Sequence, residues 1–98
     1  MIHVTMPYHL RNLAGVKSEI QVEVEGAVTV NKVLDAVEAR YPMLTGTMRE
    51  YNTKKRRPFV RFFACSEDYS LAAEDTILPE KITKGEEPFM IVGAIAGG

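Results

Sequence analysis

One cysteine, Cys65, in 98 residues leaves no partner for an internal disulfide. Met1 to Pro7 lacks the basic stretch and apolar core of a secretory signal, so the chain reads as a cytosolic protein. No apolar run approaches the roughly 20 residues that span a bilayer. Neither sign of charge is in excess. Twelve Lys and Arg stand against thirteen Asp and Glu, a net charge of −1, so no global field draws in nucleic acid or a membrane. Repeats and linkers are missing too. What is present is ordinary globular composition, 46% hydrophobic and 26% charged, which argues against disorder. A chain of this length makes one domain with one core and no room for a deep cleft.

The hydrophobic pattern changes period along the chain. Ile2, Val4, Met6, Tyr8 and Leu10 alternate with polar residues or proline, the period of two of a half-buried strand, interrupted or bulged at Pro7. Asn12 to Gly15 reads as a turn. Ile20, Val22 and Val24 alternate with Glu and Gln, giving a second strand and hence a hairpin. Val30, Val33, Leu34, Val37 and Tyr41 then recur at helical spacing behind Thr29, a helix cap, with Pro42 as the stop. Lys32, Asp35, Glu38 and Arg40 fall outside that stripe.

Leu44, Met48 and Tyr51 support at most another helical turn. Phe59 to Cys65 reads as an aromatic-rich strand, Glu67-Asp68 as a turn and Tyr69 to Leu71 as a short return strand. A helical turn is expected around Ile82. Phe89 to Val92 is unbroken apolar sequence, as in a strand covered on both faces. A hairpin followed by one amphipathic helix buries that helix only against the sheet, so the class is α+β. The last strand is expected in the centre, parallel to the first.

After that strand come Gly93, Ala94, Ile95, Ala96, Gly97 and Gly98, with no charged residue after Glu87. Two divisions follow: a domain over 1–92 and an extended tail over 93–98. Such a tail spans about 20 Å at roughly 3.3–3.6 Å per residue, and its side chains, small except for Ile95, suit a narrow passage in another protein.

Three stretches carry a family resemblance: Leu10-Arg11-Asn12-Leu13-Ala14-Gly15, the helix from Thr29 to Pro42, and Lys84-Gly85-Glu86-Glu87 with the strand and Ala94-Ile95-Ala96-Gly97-Gly98. Together they resemble the ubiquitin-like small sulfur carriers, namely the molybdopterin synthase small subunit and the thiamine-pathway carrier. The resemblance implies a β-grasp fold, a mixed sheet of four to five strands on one main helix. It also implies a carrier that is not itself an enzyme, with no catalytic side chain and no permanently bound cofactor or metal.

On that pattern a ubiquitin-activating-type adenylating enzyme uses ATP and Mg²⁺ on the Gly98 carboxylate. A thiocarboxylate follows, and its sulfur goes to a synthase such as the molybdopterin synthase large subunit, molybdopterin-type synthesis being the first candidate. Ala94, Ile95, Ala96 and Gly97 would thread into the partner. The family's docking patch maps onto Phe59, Phe63, Cys65 and Met90. A modifier linked through Gly98 to lysines of other proteins, and a non-covalent interaction module, are the alternatives. The sequence departs from the family at Pro7, in the long 43–58 segment, at the turn around Gly85 and at Gly93, where a proline is common.

Other candidates read more plainly. Cys65 is expected to be a quiet, partly buried thiol at a strand end. His3 and His9, six positions apart on one strand face, stand about 20 Å from each other and share no metal. Glu67-Asp68, Glu74-Asp75 and Glu86-Glu87 read as turn acids. Lys54, Lys55, Arg56 and Arg57 read as a solvated loop.

Overall fold

In the computed structural model, which describes residues 1–93, the alternation from Ile2 builds strand β1 (Ile2–Thr5) and then breaks at Pro7. Pro7 stands at the boundary of helix α1 (Tyr8–Ala14), where a missing N–H costs little. The expected strand through Leu10 and the turn at Asn12 to Gly15 are therefore corrected to one short helix. Met6 and Leu10 are both buried and lie four apart, a spacing that fits either period. Tyr8, between them, is exposed. Gly15 closes α1 in the left-handed region (φ 73°), its N–H donating to the Arg11 and Asn12 carbonyls.

Strand β2 (Ile20–Val22) is shorter than expected, leaving Val24 outside it. Helix α2 (Val30–Arg40) forms where its stripe places it, with Thr29 Oγ1 accepting the Lys32 N–H. The helix stops as Pro42 opens a 3-10 turn, Pro42–Leu44. Strand β3 (Val60–Ala64) and strand β4 (Glu67–Asp68) form a hairpin, so the return strand lies ahead of the expected Tyr69 to Leu71. Cys65 and Ser66 make its two-residue tip with φ of 51° and 67°. Helix α3 (Glu80–Thr83) buries Ile82, and strand β5 (Phe89–Gly93) ends with Gly93 opposite Val60.

The sheet order is β2-β1-β5-β3-β4. β5 is the middle strand and parallel to β1, as the pattern predicts, and it runs antiparallel to β3. Ile2, Val4, Ile20, Val22, Phe62, Phe89 and Ile91 meet Val33, Leu34 and Val37 of α2 in one core. Phe62 and Phe89 stack with centroids 5.9 Å apart, and burial of each ring contributes about 2–3 kcal/mol. One expectation is corrected here. β5 is covered on one face only, with Met90 and Val92 41% and 39% exposed on the other.

The polar side of α2 is not all wet. Arg49, 2% exposed, donates from Nε and Nη2 to the two carboxylate oxygens of Glu38 at 3.1 and 3.0 Å. Nη2 also reaches Asp35 Oδ1, and Nη1 reaches Asn31 Oδ1 at 3.1 Å. Burial alone would lower the Arg49 guanidinium. Hydrogen bonds and attraction from Glu38 and Asp35 together outweigh it and hold the group above its usual value. This fork anchors the segment that Arg49 and Arg56 bridge.

The Lys54 to Arg57 run is likewise not a free loop. Arg56 donates to the carbonyls of Ser70, Arg57, Pro58 and Val60, and Arg57 to that of Gly46. Lys54 and Lys55 remain exposed.

Beside the β3–β4 hairpin, hydrogen bonds from Ser70 hold the Asp68 carboxyl below the usual carboxylate range, with Arg61 Nη1 3.3 Å away adding to them. A depressed carboxyl stabilises the fold above its ordinary value and loses that contribution as the pH falls through the lowered one. Asp68→Asn is expected to flatten the acid limb of Tm against pH below about pH 4 and to leave its shape unchanged near neutrality. A parallel acid limb in the variant would exclude Asp68 as a source.

Candidate functional site

Alternation along the strands puts one row of side chains across the open face. Thr5, Met90, Phe63 and Asp68 are successive partners in that row, and Val92 pairs with Arg61 beside it. Met90 and Phe63 of the expected docking patch are thus neighbours. Val92, outside the expected patch, lies on the same open face, as its period-two spacing from Met90 signals. Phe59 and Cys65 lie beyond opposite ends of β3, so the four residues do not form one tight cluster. Phe59 is 58% exposed, and Cys65 is exposed at the hairpin tip, which corrects the expectation of a partly buried thiol.

The C-terminal end of β5 lies beside the start of α1. A Cβ added to Gly93 would lie 2.9 Å from His9 Cε1 and 3.4 Å from Pro7 Cγ. Gly15, Gly26, Gly46 and Gly85 all have positive φ, whereas Gly93 does not. Its missing side chain therefore answers to space and not to backbone conformation. The residues expected to thread into a partner, Ala94, Ile95, Ala96 and Gly97, and the acyl-bearing Gly98 lie outside the described residues.

The family-like stretch around Arg11 has a structural role. Arg11 donates from Nε to the Met6 carbonyl and from Nη1 to the Lys17 carbonyl, tying α1 to the approach of β2. His3 and His9 do not share a strand face, because His9 belongs to α1. His3 Nδ1 lies 2.7 Å from Glu19 Oε1, and its ring packs beside Gly85. Among the described residues no three His, Cys, Asp or Glu side chains gather to hold a metal ion. No helix among them is long and apolar enough to cross a membrane.

A hollow of about 160 Å³ between the start of α2 and residues 53–56 is smaller than the roughly 300 Å³ of ordinary ligand pockets. Wider grooves of about 430 and 320 Å³ run along β2 beside Arg40. Arg40 Nη1 donates there to the Gln21 carbonyl at 2.7 Å, occupying part of the sheet edge.

No protein-family model and no curated protein matches the chain in sequence. Solved structures match it in shape. A chain of the Amycolatopsis orientalis BexX/CysO complex superposes with a TM-score of 0.76 at 22% identity, covering 100% of both chains. CysO of Mycobacterium tuberculosis, described as an antigen, gives 0.75 at 21% identity over 97% of this chain and 100% of that one. SAMP1 of Haloferax volcanii, small archaeal modifier protein 1, gives 0.75 at 20% identity over 98% and 97%. With the mixed five-stranded sheet wrapped on α2, these likenesses show that the chain has the ubiquitin-like β-grasp fold.

Proposed function

We propose that this protein is a sulfur carrier whose Gly98 carboxylate is the working group. A carboxylate is a poor electrophile until its oxygen attacks the α-phosphorus of ATP, displacing pyrophosphate and leaving an acyl-adenylate. The partner, a ubiquitin-activating-type enzyme with Mg²⁺, supplies that step. A hydrosulfide-equivalent sulfur then attacks the acyl carbon, AMP leaves, and the thiocarboxylate carries a soft nucleophile to a synthase. Molybdopterin-type synthesis is the first candidate destination.

The observation that carries this reading is the position of β5. The middle strand presents Met90 and Val92 on an open face and leads directly into the small-residue stretch from Ala94 to Gly98. An exposed apolar strip on the strand that precedes the reactive segment in sequence suits a docking enzyme. Phe63, Met90 and Val92 form the centre of that surface, Phe59 flanks it, and Cys65 lies at its far end. That a chain of this fold occurs in the BexX/CysO complex supports a partner-dependent role.

The name of the Haloferax volcanii protein favours a second reading, a modifier joined through Gly98 to lysines. Intact-mass measurement after co-expression with a ubiquitin-activating-type enzyme and a sulfur donor separates them. The carrier reading expects a mass gain of sulfur for oxygen at Gly98. Lysine-linked adducts of higher mass would favour the modifier, and an unchanged mass would favour a non-covalent module.

A further inference from the structure

We infer that the hollow between the start of α2 and residues 54–56 receives an acidic side chain of a partner protein, on the side of the sheet away from Met90 and Val92. Its floor is apolar, Leu34 and Phe62, and its rim carries Lys54, Lys55 and Arg56 against one acid, Glu74. Arg49 also reaches it, but Glu38 and Asp35 already offset that charge. None of the three rim cations forms an ion pair among the described residues. Adjacent cations repel one another, and no carboxylate of the described chain relieves them.

The rim is held in place. Arg56 donates from Nε to the Ser70 carbonyl at 3.3 Å and from Nη1 to the Val60 carbonyl at 2.7 Å. Its Nη2 donates to nothing among the described residues, so carbonyls fix the guanidinium without cancelling its charge. The backbone is tied as well. Glu50 N–H donates to the Lys55 carbonyl at 2.7 Å, and Lys54 N–H to the Glu50 carbonyl at 2.9 Å. Lys54 Nζ lies 5.7 Å from the centroid of the Tyr51 ring. A rim already formed loses little freedom when a ligand arrives.

Size and surroundings select the occupant. A volume of about 160 Å³ admits one carboxylate on a short stem and not a whole metabolite. Leu71, flanked in sequence by lining residues, and Tyr51, beneath the Lys54 ammonium, are both exposed at the margin. Aromatic and aliphatic groups around a fixed arginine are the make-up of protein interfaces. A nucleic acid would meet only this short run on a chain of net charge −1. Strand parity separates the hollow from the open face, since Phe62 lines the hollow while its neighbour Phe63 pairs with Met90. A partner seated here leaves the open face free, so the two surfaces can be occupied together.

Amide chemical shifts of the full-length protein, titrated with a short blocked peptide of leucine and glutamate, test the site. Shifts are expected at residues 53–56 and 69–74, with an affinity that falls as salt is added. Lys54→Gln/Lys55→Gln, at two exposed positions, should weaken binding by about tenfold with an unchanged Tm. Glu74→Gln, which removes the one acid of the rim, should tighten it by about threefold. Any of four results would overturn the proposal: equal binding of the leucine–glutamine peptide, shifts centred on Phe63 and Met90, tighter binding of oligouridylate, or no response to millimolar peptide.

Discussion

Arg49→Met is expected to destabilise the protein by about 3–5 kcal/mol, because it leaves the Glu38 carboxylate in the interior without its cation. Glu38 is only 9% exposed, and the guanidinium fork supplies two of its hydrogen bonds. Asp35, 60% exposed, can return to water, so the cost concentrates on Glu38. Urea unfolding of the double variant Arg49→Met/Glu38→Leu isolates the effect. Removing both charges should recover most of the loss, since a buried pair roughly offsets its own desolvation. A single variant within about 1 kcal/mol of wild type would show that Glu38 finds water or another partner.

Gly85→Ala comes next, with an expected cost of about 2–4 kcal/mol. Gly85 follows α3 at φ 74°, where any Cβ strains the backbone by about 1–2 kcal/mol. The remainder is a collision. The added Cβ would lie 2.8 Å from the Met1 carbonyl oxygen and 3.1 Å from His3 Cδ2. A backbone atom immediately ahead of β1 yields less readily than a side chain. Thermal unfolding measures this against Gly26→Ala, which shares the positive φ but meets nothing within 4 Å. Equal losses in the two variants would reduce the Gly85 effect to backbone strain alone.

Where local pattern and long-range packing agree, the residues told the structure plainly. The α2 stripe, its Thr29 cap and the Pro42 stop are all settled within a few turns, and β5 stands in the centre because the longest apolar run needs neighbours on both edges. The α1 helix was hidden, because Met6 and Leu10 satisfy two periods at once and only Pro7 breaks the tie. Asp35 and Glu38 looked solvated since nothing local to α2 announces that Arg49, eleven residues beyond Glu38, folds back across it. Of the candidate site, the Phe63–Met90 contact was within reach from strand parity. The Val92 contribution was obscured by assuming both faces of β5 were covered. The approach of the His9 ring to Gly93 depends on where α1 comes to rest, which no spacing encodes.

The placement of β5 also governs when this molecule can form. On a ribosome, the antiparallel β1–β2 pair and α2 emerge first, yet the gap between β1 and β3 stays vacant until Phe89 to Gly93 has cleared the exit tunnel. Nascent chains halted before that point hold two half-sheets with nothing to join them, so assembly waits for β5 to emerge and the sheet matures as a unit.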